Sequence, residues 1–113
     1  MNITFRLKKF EKLVNDDRKL VKEFGEIRAR KIMKRLSDLR FANTLEDTRY
    51  LPGNFHELTV NRKGQWACDL DQPYRLIFKP QENPIPTNDE GRFIWQKIEG
   101  VEILEIINYH REK

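Results

Sequence analysis

The spacing of apolar residues changes once along the chain, from a helical repeat in the first half to a strand repeat in the second. Between Phe10 and Leu39 apolar residues recur every three or four positions, and from His56 onward they alternate with polar ones. A short alternating segment at residues 2–7 comes first and predicts a strand. The order strand, helices, strands predicts an α+β fold in which the helices pack on one face of an antiparallel sheet.

Three helices are predicted in the first half, separated by a polar break at residues 15–17 and by Gly25. The first two have apolar residues at helical spacing, namely Phe10, Leu13 and Val14, then Leu20, Val21 and Phe24. The third has a longer apolar stripe, made by Ala29, Ile32, Met33, Leu36 and Leu39. This stripe predicts the face that packs on the sheet, and the other faces are basic, with Arg28, Lys31 and Arg35 among their residues.

The second half predicts strands at residues 56–60, 66–70, 74–79, 93–98 and 101–110. Turns are expected at residues 61–64 and 71–73, and residues 80–92 form a polar, proline-containing loop. The last segment is apolar on both faces of the strand. A strand of that kind is typical of the middle of a sheet, so residues 101–110 are predicted to be a central strand.

Composition limits the protein to a few classes. The 113 residues suffice for one domain with a modest core, so a single domain spanning residues 1–113 is expected. A net charge of +4 is compatible with binding to nucleic acid or to an acidic protein and requires neither. The single cysteine, Cys68, excludes an internal disulfide and is predicted to lie in the core. No apolar run approaches the length of a membrane span, so the cytoplasm is the expected location, with no membrane partner.

The chain carries Tyr109 and His110 at the predicted tip of its last strand. Histidine titrates near neutral pH, so His110 is a candidate general acid or base. The ordinary alternative is a solvated histidine near the end of the chain. In an ideal strand the two side chains point to opposite faces, so they share a site only if the strand twists or ends there.

Three segments together resemble a known protein family. They are residues 25–36 with the pattern Gly-x-x-x-Ala-x-x-Ile-x-x-Arg-Leu, residues 56–78 with His-Glu-Leu, Gly-x-Trp and Tyr-Arg-Leu-x-Phe, and residues 101–110 with the ending Asn-Tyr-His. In order, spacing and total length they look like the HigB-type branch of the RelE/ParE toxin superfamily. The resemblance implies a curved antiparallel sheet and a toxin of a type II toxin–antitoxin pair.

The resemblance also implies an activity and partners. HigB- and RelE-like members are mRNA endoribonucleases that cut message in the ribosomal A site, need no metal or other cofactor, and stop translation. Their antitoxin is often a helix-turn-helix protein, and operator DNA is bound only through it. The family's usual ending is Asp-Tyr-His, whereas this chain has Asn108 in the acidic position.

Metal-free RNA cleavage needs a base, an acid and cations that stabilise a charged phosphorane. His110 is the expected acid or base, Tyr109 would stack on a nucleobase or donate a hydrogen bond, and Arg75 would clamp the scissile phosphate. Arg62, Lys63 and Lys79 are candidates for lining the mRNA path. For each cation the plainer reading is a solvated or ion-paired surface residue, and for His56 it is a partly buried, hydrogen-bonded histidine.

Two other functions stay open at the level of sequence. Some ParE-type relatives inhibit DNA gyrase without cutting RNA. If this chain acts in the same way, it is a binding module and not an enzyme. An inactive homologue that serves only as an antitoxin partner or corepressor is the third possibility, and Asn108 is the feature that suggests it. The basic face of the third helix is either solvated or a contact with ribosomal RNA phosphates.

Overall fold

The computed structural model describes residues 1–112. It contains five strands, β1 (Asn2–Phe5), β2 (His56–Glu57), β3 (Trp66–Asp69), β4 (Tyr74–Pro80) and β5 (Gly100–Asn108). It also contains four α-helices, α1 (Lys8–Val14), α2 (Asp17–Phe24), α3 (Glu26–Phe41) and α4 (Tyr109–Glu112). Short 3-10 helices span Leu45–Thr48, Val60–Arg62 and Trp95–Lys97.

The strands form one sheet in the order β1-β5-β4-β3-β2. Strands β2 to β5 are successive antiparallel neighbours, and β1 pairs in parallel with β5, with Ile3 beside Val101. Strand β5 therefore has neighbours on both sides, which confirms the central position predicted from its two apolar faces. The predicted α+β architecture is confirmed, with the parallel β1–β5 pair as the one departure from an antiparallel sheet within the described residues.

The helices pack on one face of the sheet and enclose the main core there. The stripe on α3 supplies Ala29, Ile32, Leu36 and Leu39, and the sheet supplies Trp66, Cys68, Leu76, Phe78, Val101 and Ile103. Trp66 and Phe78 are fully buried, and burying side chains of this size is the largest favourable contribution to folding. Burial also raises the pKa of the Cys68 thiol far above its usual range, so the thiol stays protonated and unreactive, as a core residue would.

The opposite sheet face, here called the open face, has a smaller apolar cluster. It consists of Ala67, Ile77 and Leu104, with Leu58 and Ile107 packed against them, and no helix residue in the described range belongs to it. A register shift between Ile77 and Phe78 leaves Leu104 as an extra residue on β5. Such a bulge bends the strand and increases its local twist.

One of the predicted strands is absent from the structure. Residues 93–98 form a 3-10 helix over Trp95–Lys97 instead of a strand, because β5 already has both of its edges occupied by β1 and β4. Trp95 and Ile98 still point into the core, and the indole of Trp95 donates to the Glu57 carboxylate at 2.7 Å. The segment thus keeps its buried apolar residues without joining the sheet.

Several strand ends also differ from the prediction. Strand β1 stops at Phe5, and Leu7, at half exposure, already precedes α1. Strand β2 is only two residues long, because Val60 turns the chain with a positive φ of 55°. Strand β5 ends at Asn108, so Tyr109 and His110 belong to α4 and not to the strand.

Candidate functional site

The candidate site begins with Arg75 on the open face of β4. The β3–β4 register places Asp69 directly opposite Arg75, and the Arg75 Nε lies 3.3 Å from Asp69 Oδ1. These two atoms are buried and close enough to attract each other electrostatically, but their alignment does not make a hydrogen bond. The guanidinium is therefore held in place while its hydrogen-bonding capacity at Nε stays unused.

The chain changes from strand to helix at Asn108, and this change places Tyr109 and His110. The Oδ1 of Asn108 accepts a hydrogen bond from the His110 N–H at 3.2 Å, as an N-cap side chain does at the start of a helix. The Tyr109 N–H donates to the Pro73 carbonyl at 3.2 Å, which ties the turn to the β3–β4 connection. An amide oxygen therefore caps α4 here, where the resembled family has a carboxylate.

The strand end brings together side chains that an uninterrupted strand would separate. The Arg75 guanidinium carbon lies 4.1 Å from the centre of the Tyr109 ring. The Tyr109 and His110 rings are 4.4 Å apart between centres and inclined by 33°. Arg75, Tyr109 and His110 consequently form one contacting group, as the sequence prediction requires of residues that share a site.

A cavity of about 400 Å³ lies next to this group on the open face. Its lining is supplied by the 3-10 turn after β2 and by the ends of β4 and β5: Leu58, Thr59, Val60, Asn61, Arg62, Arg75, Ile107 and Tyr109. His110 does not line it and is exposed, in contact with Tyr109. The cavity thus has a cationic wall from Arg62 and Arg75 and apolar walls from Ile107 and Val60.

The predicted lysines belong to a second cavity. Lys63 and Lys79 line a space of about 560 Å³, together with Thr4, Gly64, Gln65, Pro80, Gln81, Glu82, Asn83, Ile85 and Glu102. The structure therefore separates the six predicted site residues. Four of them form or adjoin the smaller cavity, and the two lysines lie in the larger one.

Two further cations of the open face, Arg62 and Lys79, are paired with carboxylates. Arg62 Nη1 lies 3.3 Å from Glu105 Oε2, and Lys79 Nζ lies 3.5 Å from Glu102 Oε1. In the isolated chain Arg62 and Lys79 are therefore ion-paired surface groups. All of these groups are a quarter to a half exposed, so the pairs are screened by water and contribute little to stability.

A buried arginine supports Asp69 from the helix side of the sheet. Arg35 is only 6% exposed, and its Nε donates to the Asp69 carbonyl at 2.8 Å. Gly53 makes room for it: a Cβ at Gly53 would lie 2.5 Å from Arg35 Nε, and its φ of 115° favours glycine. The Gly53 carbonyl accepts a hydrogen bond from the Asp69 N–H at 2.7 Å. The backbone N–H and C=O of Asp69 are therefore both hydrogen-bonded, to Gly53 and to Arg35.

The basic face expected on α3 is smaller than the sequence suggests. Arg35 is buried, and Arg28 turns toward the β3–β4 connection, where Nε lies 3.0 Å from Asp71 Oδ1 and the guanidinium covers the Tyr74 ring at 3.5 Å. Lys31 remains exposed. His56 is partly buried with its Nδ1 2.6 Å from the Asn54 carbonyl oxygen, as the plainer reading predicts.

Sequence reasoning missed Asp69, Glu105 and the 3-10 turn Val60–Arg62. A signal for Asp69 existed, since a hairpin centred on Gln72 in the predicted turn places residue 69 opposite residue 75. The 3-10 turn had no such signal, because residues 56–60 alternate as a longer strand would. Glu105 was hidden by the bulge, which changes the face that residues after Leu104 occupy.

Two further properties concern only the described residues. Within residues 1–112 no three His, Cys, Asp or Glu side chains come together in a way that would hold a metal ion. None of the described helices has the length and apolar character needed to cross a membrane.

Comparison with known proteins gives a fold but no family. No protein-family model and no curated protein matches the sequence. The structure is similar to the YoeB–YefM complex from Staphylococcus aureus, with a TM-score of 0.55 and 17% identity over 94% of this chain and 93% of that one. It is also similar to the YoeB dimer from the same organism, with a TM-score of 0.52 and 18% identity over 93% and 92% of the two chains. The α+β fold is therefore one that YoeB also has, and the HigB subtype is not distinguished by it.

Proposed function

We propose that the protein is the toxin of a type II toxin–antitoxin pair and acts as a metal-independent endoribonuclease on mRNA in the ribosome. The observation that carries the proposal is the contacting group of Arg75, Tyr109 and His110 beside a cavity on the open face. The likeness of the whole fold to YoeB supports it. The chain would act as one domain in the cytoplasm, where its substrate is translated.

Arg75 is suited to the charge that develops when a ribose 2′-OH attacks the adjacent phosphorus. Its guanidinium is permanently charged and is held on a strand by Asp69 and Tyr109, so it need not reorganise during the reaction. Arg75 lines the cavity, where its guanidinium can donate to a phosphoryl oxygen. In this role Arg75 binds the scissile phosphate and stabilises the phosphorane.

His110 is the proton-transfer group in this proposal, and Tyr109 holds the His110 ring in position. The exposed imidazole can accept the 2′-OH proton or protonate the leaving 5′-oxygen. Tyr109 orients His110 by ring contact and presents a face on which a nucleobase stacks. Asn108 keeps both residues in the first turn of α4 without adding a charge.

The remaining predicted residues would guide the message. Arg62 lines the same cavity as Arg75, and Lys63 with Lys79 would contact the RNA backbone in the larger cavity. A cognate antitoxin, which the family resemblance implies is a helix-turn-helix protein, would neutralise the toxin and carry the complex to operator DNA. The HigB-type resemblance remains part of this proposal.

Cell-free translation with primer extension on the mRNA tests the proposal. Wild-type protein should give discrete cuts on translated message, and His110→Ala should reduce cutting about 10²- to 10⁴-fold, because a general acid or base contributes on that scale. Arg75→Lys should cost about 10²-fold, since lysine cannot replace a bidentate donor. His110 is exposed, and Arg75→Lys keeps the positive charge beside Asp69, so thermal unfolding should be nearly unchanged.

Arg92→Lys is the matched control, because Arg92 is exposed and lines neither cavity, so this variant should cut like the wild type. Intact message under full translation would refute the ribonuclease. If cells expressing the protein nevertheless stopped growing, inhibition of DNA gyrase would become the leading function, and harmless expression would indicate an inactive partner of the antitoxin.

A further inference from the structure

Arg28, near the start of α3, makes its contacts with the sheet. Its Nε lies 3.0 Å from Asp71 Oδ1 and its Nη2 lies 3.2 Å from Asp71 Oδ2, so the guanidinium binds the carboxylate through two bonds. The same guanidinium covers the Tyr74 ring, with its carbon 3.5 Å from the ring centre. The Arg28 and Asp71 side chains are 23% and 24% exposed, whereas those of the Arg30–Glu26 pair on the same helix are 76% and 68% exposed. A two-bond, partly buried pair keeps its geometry better than an exposed one.

The two residues that Arg28 holds are the ends of the turn between β3 and β4, residues 71–74. The Tyr74 N–H donates to the Asp71 carbonyl at 2.7 Å, and this bond fixes the shape of the turn. The contacts of Arg28 with Asp71 and Tyr74 fix the place of the turn against α3. Pro73 lies between the two held residues, so its carbonyl is held in place relative to α3 as well.

The Pro73 carbonyl is the point at which this turn meets the end of β5. The pairing of β4 with β5 ends at Tyr74 and Asn108, and the next bond is the one from the Tyr109 N–H to the Pro73 carbonyl, at 3.2 Å. This bond lies beyond the last strand pair. It therefore depends on where the turn places the Pro73 carbonyl, and the turn is held by Arg28.

We propose that Arg28 is a positioning residue for Tyr109 and His110 and acts on them through the β3–β4 turn. The Tyr74 ring that it covers packs against the main core, on the sheet face opposite the cavity that Tyr109 lines. Because the Tyr109 ring contacts both the Arg75 guanidinium and the His110 ring, the place of its backbone sets the place of the whole contacting group. The inference rests on the proposed function only for the reaction that this group would carry out.

The alternative for Arg28 is a contact with ribosomal RNA, as expected for a basic face of α3. A phosphate would have to displace the Asp71 carboxylate from Nε and Nη2, and the flat face of the guanidinium is already against Tyr74. Arginine at a site that is both paired and stacked is not replaceable by lysine, since an ammonium has no planar group to offer. The geometry therefore favours an internal role, and the two roles give different results in the test.

Hydrogen exchange read by NMR, in the absence of RNA, tests the positioning directly. Arg28→Gln should quicken exchange at the Tyr109 amide about fivefold or more, because the acceptor of that amide is no longer held against α3. Arg30→Gln removes the same charge two residues along the same helix and should leave the rate within about twofold of the wild type. The Leu76 amide in β4 reports any loss of global stability. Arg28→Lys and Asp71→Asn break the same pairing by smaller changes, so the test does not depend on one variant folding.

The mRNA-cutting assay shows what this positioning does for the reaction. Arg28→Gln should lower the maximal rate of cutting about tenfold and leave the ribosome concentration for half-maximal rate within about twofold, because Arg75 still binds the phosphate. Arg28→Lys should lie between the wild type and Arg28→Gln. The double variant Arg28→Gln with Asp71→Asn should cut no more slowly than Arg28→Gln alone, since the two residues act as a pair.

The results separate this inference from the proposed function. Unchanged exchange at Tyr109 in Arg28→Gln, or equal acceleration in Arg30→Gln, would overturn the inference and leave the ribonuclease proposal as it is. A higher half-maximal ribosome concentration with unchanged exchange would make Arg28 an RNA contact, which also overturns it. Faster exchange in a protein whose wild type cuts no message would support the positioning and refute the proposed function.

Discussion

Val60 has a backbone conformation that valine rarely adopts. It is β-branched, 84% exposed, and has a φ of 55°, a conformation in which its Cβ crowds the following carbonyl. It lines the smaller cavity beside Arg62, in the 3-10 turn that ends β2. Strain of this kind is found at functional sites because the surroundings can hold it there. The turn is thus fixed by its contacts and not by the preference of valine.

Replacing Val60 should therefore stabilise the protein. Val60→Asn relieves the strain without the flexibility of glycine, and should raise the free energy of unfolding by about 1 kcal/mol. Urea denaturation provides the measurement. Thr59→Asn is the control, since Thr59 is exposed with an ordinary φ of −123° and should give no gain. Equal or lower stability of Val60→Asn would show that the backbone at residue 60 is not strained.

The decisive element is the junction of β5 with α4. The strand stops two residues before His110, and this stop lets the Tyr109 and His110 rings meet on one side. The junction depends on the cap from Asn108 and on the Tyr109 N–H bonded to Pro73. A four-residue helix has little stability of its own, so these two bonds are needed to hold it.

Removing the cap should loosen the junction without unfolding the protein. Asn108→Ala loses a cap contribution of about 1 kcal/mol, so hydrogen exchange at the His110 amide should quicken about fivefold. Asn108→Asp keeps an acceptor oxygen in the same place and should exchange like the wild type or more slowly. The rates are read by NMR, with the Leu76 amide in β4 as an internal reference. Equal exchange in all three proteins would mean that Asn108 does not cap α4.

On the scale of the whole molecule, the open face is nearly neutral although the chain carries +4. Arg62, Arg75 and Lys79 each have a carboxylate partner there. Cations already engaged by protein carboxylates release few counterions from RNA, so free RNA should bind weakly and with little dependence on salt. Such a face would favour an mRNA presented by the ribosome over RNA in solution.

Freeing two of these cations should make binding to free RNA tighter and more dependent on salt. Glu102→Gln with Glu105→Gln should steepen the slope of log affinity against log salt by about 1.4, or about 0.7 for each released contact with single-stranded RNA. Fluorescence anisotropy with a labelled oligoribonucleotide gives the slope. The double variant Glu11→Gln with Glu23→Gln makes the same charge change at exposed helix positions and serves as the control. Identical slopes in both would exclude the open face as the RNA-binding surface.

The sequence by itself determined the helices, the central strand and the apolar stripe of α3, because apolar periodicity records which face of each helix or strand is buried. It predicted the buried Cys68, and it singled out Arg75, Tyr109 and His110. It overestimated the strand at residues 93–98, since periodicity reports burial and does not report whether a sheet edge is free.

Only the tertiary structure decided which of the candidate residues meet. The meeting of Arg75 with Asp69 depends on strand pairing, and that of Arg62 with Glu105 depends on the bulge at Leu104. The burial of Arg35 depends on Gly53, eighteen residues away along the chain. These contacts join segments that are distant in sequence, and local patterns do not record such pairings. The physical reason is that burial depends on which face of its own helix or strand a residue occupies, and the apolar period records that face. A site depends on how separate strands and helices align with one another, and no local pattern records that alignment.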